Sequence, residues 1–179
     1  MMEQVVQNED QSLNDITVLS EAERNRLLYE WNDTKAEYPN QTIHRLFEEQ
    51  AEKTPELAAV VSGNDKLTYR EINEKSNQLA RYLRDKGVKE DTIVAIMAER
   101  SPEMVVGIMG ILKAGGAYLP IDPDYPEERI KYMLEDSGAA IILADHKQDL
   151  GTLHQEAVEL TGDFSSYPAD NLEPAGNTD

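Results

Sequence analysis

Two adjacent glycines, Gly115 and Gly116, join a helix-like segment directly to a strand-like segment. The preceding segment, 102–114, is apolar on nearly every side, so it predicts a helix that is buried over most of its surface. The following segment, 117–121, is a short apolar run of the kind that forms a buried strand. A buried helix followed at once by a buried strand favours a fold in which helices cover a β-sheet.

Strands and helices alternate through most of the remaining chain. We predict a hairpin from two short runs and further strands after it, at 58–61, 66–68, 93–97 and 140–144. Apolar spacing and end signals predict helices at 20–34, 42–54, 70–86 and 126–135, and a short helix near 153–160. The alternation predicts an α/β fold: a mostly parallel, doubly wound sheet flanked by helices, with a small β-hairpin.

The chain carries a strong excess of negative charge. Seventeen Lys and Arg residues stand against 35 Asp and Glu residues, which gives a formal net charge of −18. Such a charge repels the phosphates of nucleic acids and anionic lipid headgroups, so neither nucleic acid nor a membrane is an expected partner. No apolar run approaches the roughly 20 residues needed to cross a bilayer. The lack of cysteine fits a reducing compartment, and these features together favour a cytoplasmic protein.

Two pairs of residues near the glycine junction could bind a ligand, and each also has an architectural interpretation. Gly115 and Gly116 could present backbone amides to an anion, or they could end the helix and let the next strand pass close by. Asp122 and Asp124 follow a predicted strand and could hold magnesium. Alternatively, Asp122 ends the strand and Asp124 caps the next helix. The architectural interpretation is favoured for both pairs.

The other conspicuous polar residues have no partner at a spacing typical of catalysis. Tyr69, Arg70 and Glu71 lie at a predicted strand-to-helix corner, where a scaffold role is favoured. Solvated helix faces are predicted for Arg129 and for the acidic pairs Glu48-Glu49 and Glu127-Glu128. Surface imidazoles are predicted for His44, His146 and His154. The sequence therefore predicts no catalytic, cofactor-binding or metal-binding residue in this chain.

Three blocks of the sequence resemble a known family. They are Leu67-Thr68-Tyr69-Arg70-Glu71-Ile72, Leu112-Lys113-Ala114-Gly115-Gly116-Ala117-Tyr118-Leu119-Pro120-Ile121-Asp122, and Asp122-Pro123-Asp124-Tyr125-Pro126-Glu127-Glu128-Arg129-Ile130. Together they resemble the first core blocks of the adenylation domains of nonribosomal peptide synthetases. The resemblance implies that 19–179 is the N-terminal part of such a domain, within the large lobe of the adenylate-forming fold. It implies that 1–18 is a linker or the tail of a preceding condensation domain.

The resemblance also implies an activity for the intact domain. An amino acid would react with ATP, assisted by magnesium, to give an aminoacyl adenylate. The aminoacyl group would then pass to the phosphopantetheine arm of a downstream carrier protein, as in antibiotic biosynthesis. The family's phosphate-binding loop is expected to begin shortly after Asp179, so the 179-residue chain alone is expected to be inactive. The part that completes the domain is then an expected partner.

Two alternatives remain open at this stage. The first is a non-catalytic α/β interaction module that docks neighbouring synthetase domains. The second is part of an acyl-CoA ligase-like enzyme, which shares the adenylate-forming fold. The block from Lys113 to Asp122 and the segment from Trp31 to Thr34 look more like peptide synthetases. The amino acid that the domain would select cannot be read from these residues.

Overall fold

The computed structural model of the protein describes residues 19–145 and 154–173. The chain forms two compact units, the first reaching to Pro39 and the second beginning at Asn40. The predicted linker at 1–18 lies outside the described residues. No helix in the described ranges is long and apolar enough to cross a membrane.

Within its described residues, the first unit contains one short helical segment. Helix α1 (Glu21–Asn25) continues into a π-helical turn (Arg26–Glu30). Its start carries the predicted capping box: Ser20 Oγ accepts from the Glu23 amide (3.3 Å), and the Glu23 carboxylate accepts from the Ser20 amide (2.9 Å). At its end, the side chain of Asn32 donates to two carbonyls of the last turn. Local capping chemistry therefore sets both ends of the segment.

The second unit contains four helices and six strands within its described residues. The helices are α2 (Ile43–Lys53), α3 (Tyr69–Asp85), α4 (Pro102–Ala114) and α5 (Glu127–Ser137). The strands are β1 (Ala58–Ser62), β2 (Asp65–Thr68), β3 (Ile93–Met97), β4 (Ala117–Ile121), β5 (Ile141–Ala144) and β6 (Glu156–Glu159). The bounds of β3, α4 and β4 coincide with those predicted from the sequence.

The strands form two sheets. β1 and β2 pair antiparallel as the predicted hairpin, whose turn contains Gly63 in the left-handed conformation. The other four strands form a sheet in the order β4-β3-β5-β6, in which every neighbouring pair is parallel. The predicted α/β fold with a parallel sheet and a small hairpin is confirmed.

The parallel sheet has an apolar core on each face. On one face, α3 and α4 pack over side chains that include Val94, Ile96 and Leu143. On the other face, α5 packs over the alternate side chains of the same strands, including Ala95 and Ile142. Because side chains alternate along a strand, consecutive residues supply the two cores. This two-sided covering is the doubly wound arrangement that the sequence predicts.

One predicted element is wrong. The segment near 153–160 is predicted as a short helix, but residues Glu156–Glu159 form strand β6. The strand pairs with β5, and Val158 is buried against the sheet. Pairing with a neighbouring strand thus outweighs the local helix preference of a Glu- and Ala-containing segment.

Candidate functional site

The parallel strands β3, β4 and β5 end at one edge of the sheet, which we call the carboxyl edge. The segments that follow these strands are 98–101, 122–125 and Asp145. Two cavities of about 390 Å³ and 610 Å³ lie among them. Ligands of open α/β sheets bind outside the carboxyl ends of the strands, so topology makes this edge the candidate site.

The carboxyl edge is acidic. The charged residues that line its two cavities are Glu99, Arg100, Glu103, Asp122, Asp124 and Asp145. Five of these six side chains are carboxylates, so the edge as described repels a polyphosphate more than it attracts one. The Glu99 amide donates to the carboxylate of Asp145 (2.8 Å), which ties the ends of β3 and β5 together.

Asp122 and Asp124 form a turn after β4. The Asp124 amide donates to Asp122 Oδ1 (3.0 Å), and both residues are exposed. The prediction that Asp124 caps the next helix is wrong, because Pro126 holds the N-cap position of α5 and no side chain caps it. Asp124 precedes that position by two residues, which is too early for a capping bond. Among the described residues, no three His, Cys, Asp or Glu side chains gather as metal ligands do.

The glycine junction is a helix ending. Gly115 has a φ of 98°, in the left-handed region, and its amide donates to the carbonyl of Leu112 (3.1 Å). The Gly116 amide donates to the carbonyl of Ile111 (3.0 Å), which completes a Schellman motif. A Cβ on Gly116 would lie 2.8 Å from the carbonyl oxygen of Thr92. Both amides are thus engaged within the chain, as the architectural interpretation requires.

The corner formed by Tyr69, Arg70 and Glu71 is the start of α3. Thr68 caps this helix, and the carboxylate of Glu71 accepts from the Thr68 amide (2.8 Å), which forms a capping box not predicted from the sequence. These hydrogen bonds lower the pKa of Glu71 below its usual value. Arg70 pairs with Glu56, and the ring of Tyr69 packs 5.5 Å from that of Phe47.

A buried polar cluster around Lys113 was missed by sequence reasoning. Lys113 lies on α4 and is only 3% exposed, and its Nζ contacts Asn73 Oδ1 (2.6 Å), Asn77 Oδ1 (2.6 Å) and Glu48 Oε1 (3.5 Å). Burial lowers the pKa of Lys113 to about 8, although the Glu48 carboxylate opposes this shift. The available signal was a lysine near the end of a segment that is otherwise predicted to be buried.

The cluster corrects one prediction. Glu48 is predicted to lie on a solvated helix face, but it is 4% exposed and pairs with Arg45 (3.1 Å) as well as Lys113. The physical reason is that Lys113 is a buried cation on another helix and requires an anionic partner. Its neighbour Glu49 is partly exposed and pairs with Lys53 (3.6 Å).

The remaining predicted surface residues are found as follows. His44 is partly buried beside the hydroxyl of Thr42 (3.1 Å), and burial lowers the pKa of its imidazole. His154 is exposed, and His146 lies outside the described residues. The guanidinium of Arg129 lies over the ring of Tyr125, 4.1 Å from its centre, a contact that the sequence did not reveal.

Comparison with known proteins decides the family. Residues 47–176 match the family described as AMP-binding enzyme. The chain belongs to the AMP-binding enzyme family. The matched range includes α3, α4 and the whole parallel sheet, so this AMP-binding fold is the one described above.

Curated relatives of this AMP-binding chain include peptide antibiotic synthases. The chain is 97% identical over 179 residues to bacitracin synthase 3 of Bacillus licheniformis, covering all of this chain and 3% of that protein. It is 61% identical over 140 residues to gramicidin S synthase 2 of Brevibacillus brevis, covering 78% of this chain and 3% of that protein. The resemblance to the N-terminal part of a peptide synthetase adenylation domain is confirmed.

Solved structures show the same fold. The nonribosomal peptide synthetase FmoA3 matches with a TM-score of 0.77 and 32% identity, over 86% of this chain and 17% of that chain. The N-terminal subdomain of NpsA from Klebsiella oxytoca matches in fold, with a TM-score of 0.68 over 78% of this chain and 36% of that chain. This AMP-binding chain therefore spans only a small part of the length of the proteins it resembles.

Proposed function

We propose that this chain forms the N-terminal portion of an amino-acid-activating adenylation domain of a nonribosomal peptide synthetase. The observation that carries the proposal is the likeness to FmoA3 in its form bound to alpha-methyl-L-serine-AMP, at 33% identity and a TM-score of 0.77. That ligand is an aminoacyl adenylate, the product of joining an amino acid to AMP. The intact domain would make such an adenylate from an amino acid and ATP, and would then pass the aminoacyl group on as a thioester.

The charge of the carboxyl edge defines what this chain contributes. Attack by a carboxylate on the α-phosphorus of ATP develops negative charge on phosphoryl oxygens, and that charge must meet cations or oriented amides. The described edge offers five carboxylates and one guanidinium, the latter from Arg100. These residues do not fit a magnesium–triphosphate site, so we assign the chain the role of a scaffold. Alone, the 179-residue chain is expected not to adenylate any amino acid.

The partners follow from the same proposal. The remainder of the adenylation domain would supply the groups that bind ATP and magnesium and select the amino acid. A condensation domain upstream and a carrier protein with a phosphopantetheine arm downstream would complete the module. The relatives are antibiotic synthases, which supports a role in antibiotic biosynthesis. We further propose that the protein is cytoplasmic, where ATP and amino acids are available.

Exchange of labelled pyrophosphate into ATP tests the proposal. An adenylation domain carrying these residues at its N-terminal side should exchange pyrophosphate in the presence of one or a few of the twenty amino acids. The 179-residue chain, assayed at the same concentration, should give no exchange above the rate without enzyme. Exchange by the short chain alone would contradict the scaffold role, and no exchange by the longer domain with any amino acid would contradict the adenylation proposal.

The same assay separates the two alternatives. A longer domain that exchanges pyrophosphate with a fatty or aromatic acid, but with no amino acid, would be an acyl-CoA ligase-like enzyme. A longer domain that binds a condensation or carrier domain without exchanging pyrophosphate would be an interaction module. The peptide synthases among the relatives favour the amino acid substrate.

A further inference from the structure

A segment without regular secondary structure is fastened along α3. We call residues 164–173 the strap. Polar side chains along α3 donate hydrogen bonds to the strap. Gln78 donates to Tyr167 O (3.2 Å) and Asn77 to Ala169 O (2.7 Å). Arg81 donates to Pro168 O (2.8 Å) and Asp170 O (2.7 Å), and Arg84 donates to Glu173 O (2.9 Å). The helix therefore binds the strap chiefly through the strap's backbone carbonyls.

Two asparagines connect the strap to the interior. Asn77 is fully buried, and its Nδ2 donates both to Ala169 O and to Asn171 Oδ1 (3.1 Å). Asn73 Nδ2 donates to the same Asn171 Oδ1 (2.8 Å). Each amide group thus presents its nitrogen to the strap, and its oxygen faces the opposite way.

The oxygens of both amides face the ammonium of Lys113. Asn73 Oδ1 and Asn77 Oδ1 each lie 2.6 Å from Lys113 Nζ. An asparagine amide can rotate to exchange its donor and acceptor ends, whereas an ammonium group can only donate. Lys113 therefore permits one orientation of each amide, in which the nitrogen is left to donate to the strap.

We propose that Lys113 is a positioning residue that holds the strap on α3 by fixing the orientation of the Asn73 and Asn77 amides. Lys113 acts on the strap through these two amides, whose oxygens accept hydrogen bonds from its ammonium group. Without it, each amide is free to turn its oxygen toward the strap, where carbonyl oxygens already lie. The attachment of 164–173 then loses its two asparagine donors and depends on Gln78, the two arginines and the apolar contacts of the strap. This device is independent of the reaction assigned to the intact domain.

Distance measurements between spin labels test the proposal, because the 179-residue chain has no cysteine to interfere. One label pair, Glu173→Cys with Glu128→Cys, reports the end of the strap against α5. A reference pair, Glu74→Cys with Glu128→Cys, reports α3 against α5. All three positions are exposed. In the parent chain we expect a narrow distance distribution for both pairs.

The Lys113→Met variant should broaden the strap pair about twofold, as for a segment that has lost part of its hydrogen bonds, and leave the reference pair narrow. The matched control is Lys53→Met, which removes an exposed lysine that pairs with Glu49 and should change neither distribution. A strap pair that stays narrow in Lys113→Met would overturn the proposal.

A second variant keeps the test decisive if Lys113→Met loses its fold and broadens both pairs. Asn77→Asp retains an oxygen partner for Lys113 but replaces the nitrogen that donates to Ala169 O. We expect it to broaden the strap pair alone. A narrow strap pair in Asn77→Asp would show that the amide orientation does not hold the strap, and the proposal would fail.

Discussion

At the scale of single residues, close packing around α4 leaves no room for added atoms. A Cβ on Gly110 would lie 2.8 Å from Leu79 Cδ2 and 2.9 Å from its Cγ, on the facing helix α3. A Cβ on Gly107 would meet Leu160 and Ile96 at 2.6 Å and 2.9 Å. The two glycines therefore set how closely α4 approaches α3 on one side and the sheet on the other.

Gly110→Ala should lower the free energy of unfolding by about 1–3 kcal/mol, because the new methyl group overlaps the Leu79 side chain. Urea denaturation measures the effect. The control is the double-mutant cycle with Leu79→Ala: in that background the same substitution should be much less harmful, since the overlapping atoms are gone. Equal losses in both backgrounds would show that the contact with Leu79 is not the cause.

Lys113 gives the stability a pH dependence whose sign follows from its lowered pKa. The folded chain releases the Lys113 proton near pH 8, whereas an ordinary lysine holds it to about 10.5. Between these values the unfolded chain binds more protons, so the free energy of unfolding should rise with pH, by up to about 3 kcal/mol from this group. Below pH 8 that increment is absent.

Urea denaturation at pH 7.5 and pH 10, compared between the parent chain and Lys113→Met, isolates this increment. Other groups also titrate in the window, and Tyr167 is one whose pKa is raised by burial and by Asp85. The contribution of groups whose surroundings are the same in both chains cancels in the difference, and Tyr167→Phe in both chains removes the contribution of Tyr167, which lies in the strap. A parent chain that gains no more stability than Lys113→Met over this range would contradict the lowered pKa.

At the scale of elements, capping boxes begin two helices with different surroundings. Thr68 caps α3, which has six buried residues, while Ser20 caps α1, which has none. The same capping motif therefore begins a helix that packs in the core of the second unit and a helix that has no buried residue. Removing each cap should have different consequences.

Thr68→Ala should reduce the stability of the second unit by about 1 kcal/mol, through the loss of the hydroxyl that accepts from the Glu71 amide. Ser20→Ala is the matched control, and it should leave the unfolding midpoint of that unit unchanged. The stability is measured by urea denaturation, in which hydrogen exchange of the α3 amides reports the unfolding of the second unit. Equal effects of the two substitutions would mean that the unfolding of the second unit also depends on α1.

Periodicity predicted most of the elements but not the pairings between distant residues. The apolar run of α4 and the strands on either side of it were placed correctly, because neighbouring residues suffice to define them. The strand Glu156–Glu159 was missed because its partner, β5, determines its conformation. Glu48 was misplaced for a similar reason: its partner Lys113 lies on another helix, 65 positions further along the chain.

At the candidate site too, features set by neighbouring residues were predicted and contacts between distant residues were not. The glycine junction was predicted in its architectural role from two residues and their flanking segments. The orientation of the Asn73 and Asn77 amides could not be predicted, since it depends on a lysine of α4 and a strap almost a hundred residues away. The resemblance of sequence motifs identified the family without any knowledge of how the Asn73 and Asn77 amides contact Lys113 or the strap.

At the scale of the whole molecule, the sheet formed by the described strands ends in an edge strand. β4 lies at one end of the strand order, and its Tyr118 is 43% exposed. An edge strand presents unpaired amides and carbonyls, and an apolar side chain beside them favours pairing with another chain. We therefore predict that the isolated chain associates with itself or with a chain that covers this edge.

Tyr118→Lys should weaken that association, because a lysine on an edge strand opposes strand pairing. Sedimentation velocity over a range of concentrations measures it, and the variant should remain monomeric at concentrations where the parent chain forms larger species. Tyr132→Lys is the control, since Tyr132 is 66% exposed but lies on α5. A parent chain that is monomeric throughout would refute the predicted association.

The attachment of the strap has an evolutionary consequence. Since α3 binds main-chain oxygens, which every amino acid supplies, the side chains at positions such as Pro168 and Ala169 can change without loss of these hydrogen bonds. The side chains of α3 that donate these hydrogen bonds cannot change as freely. We therefore expect chains that differ from this one at these strap positions to keep the same strap path.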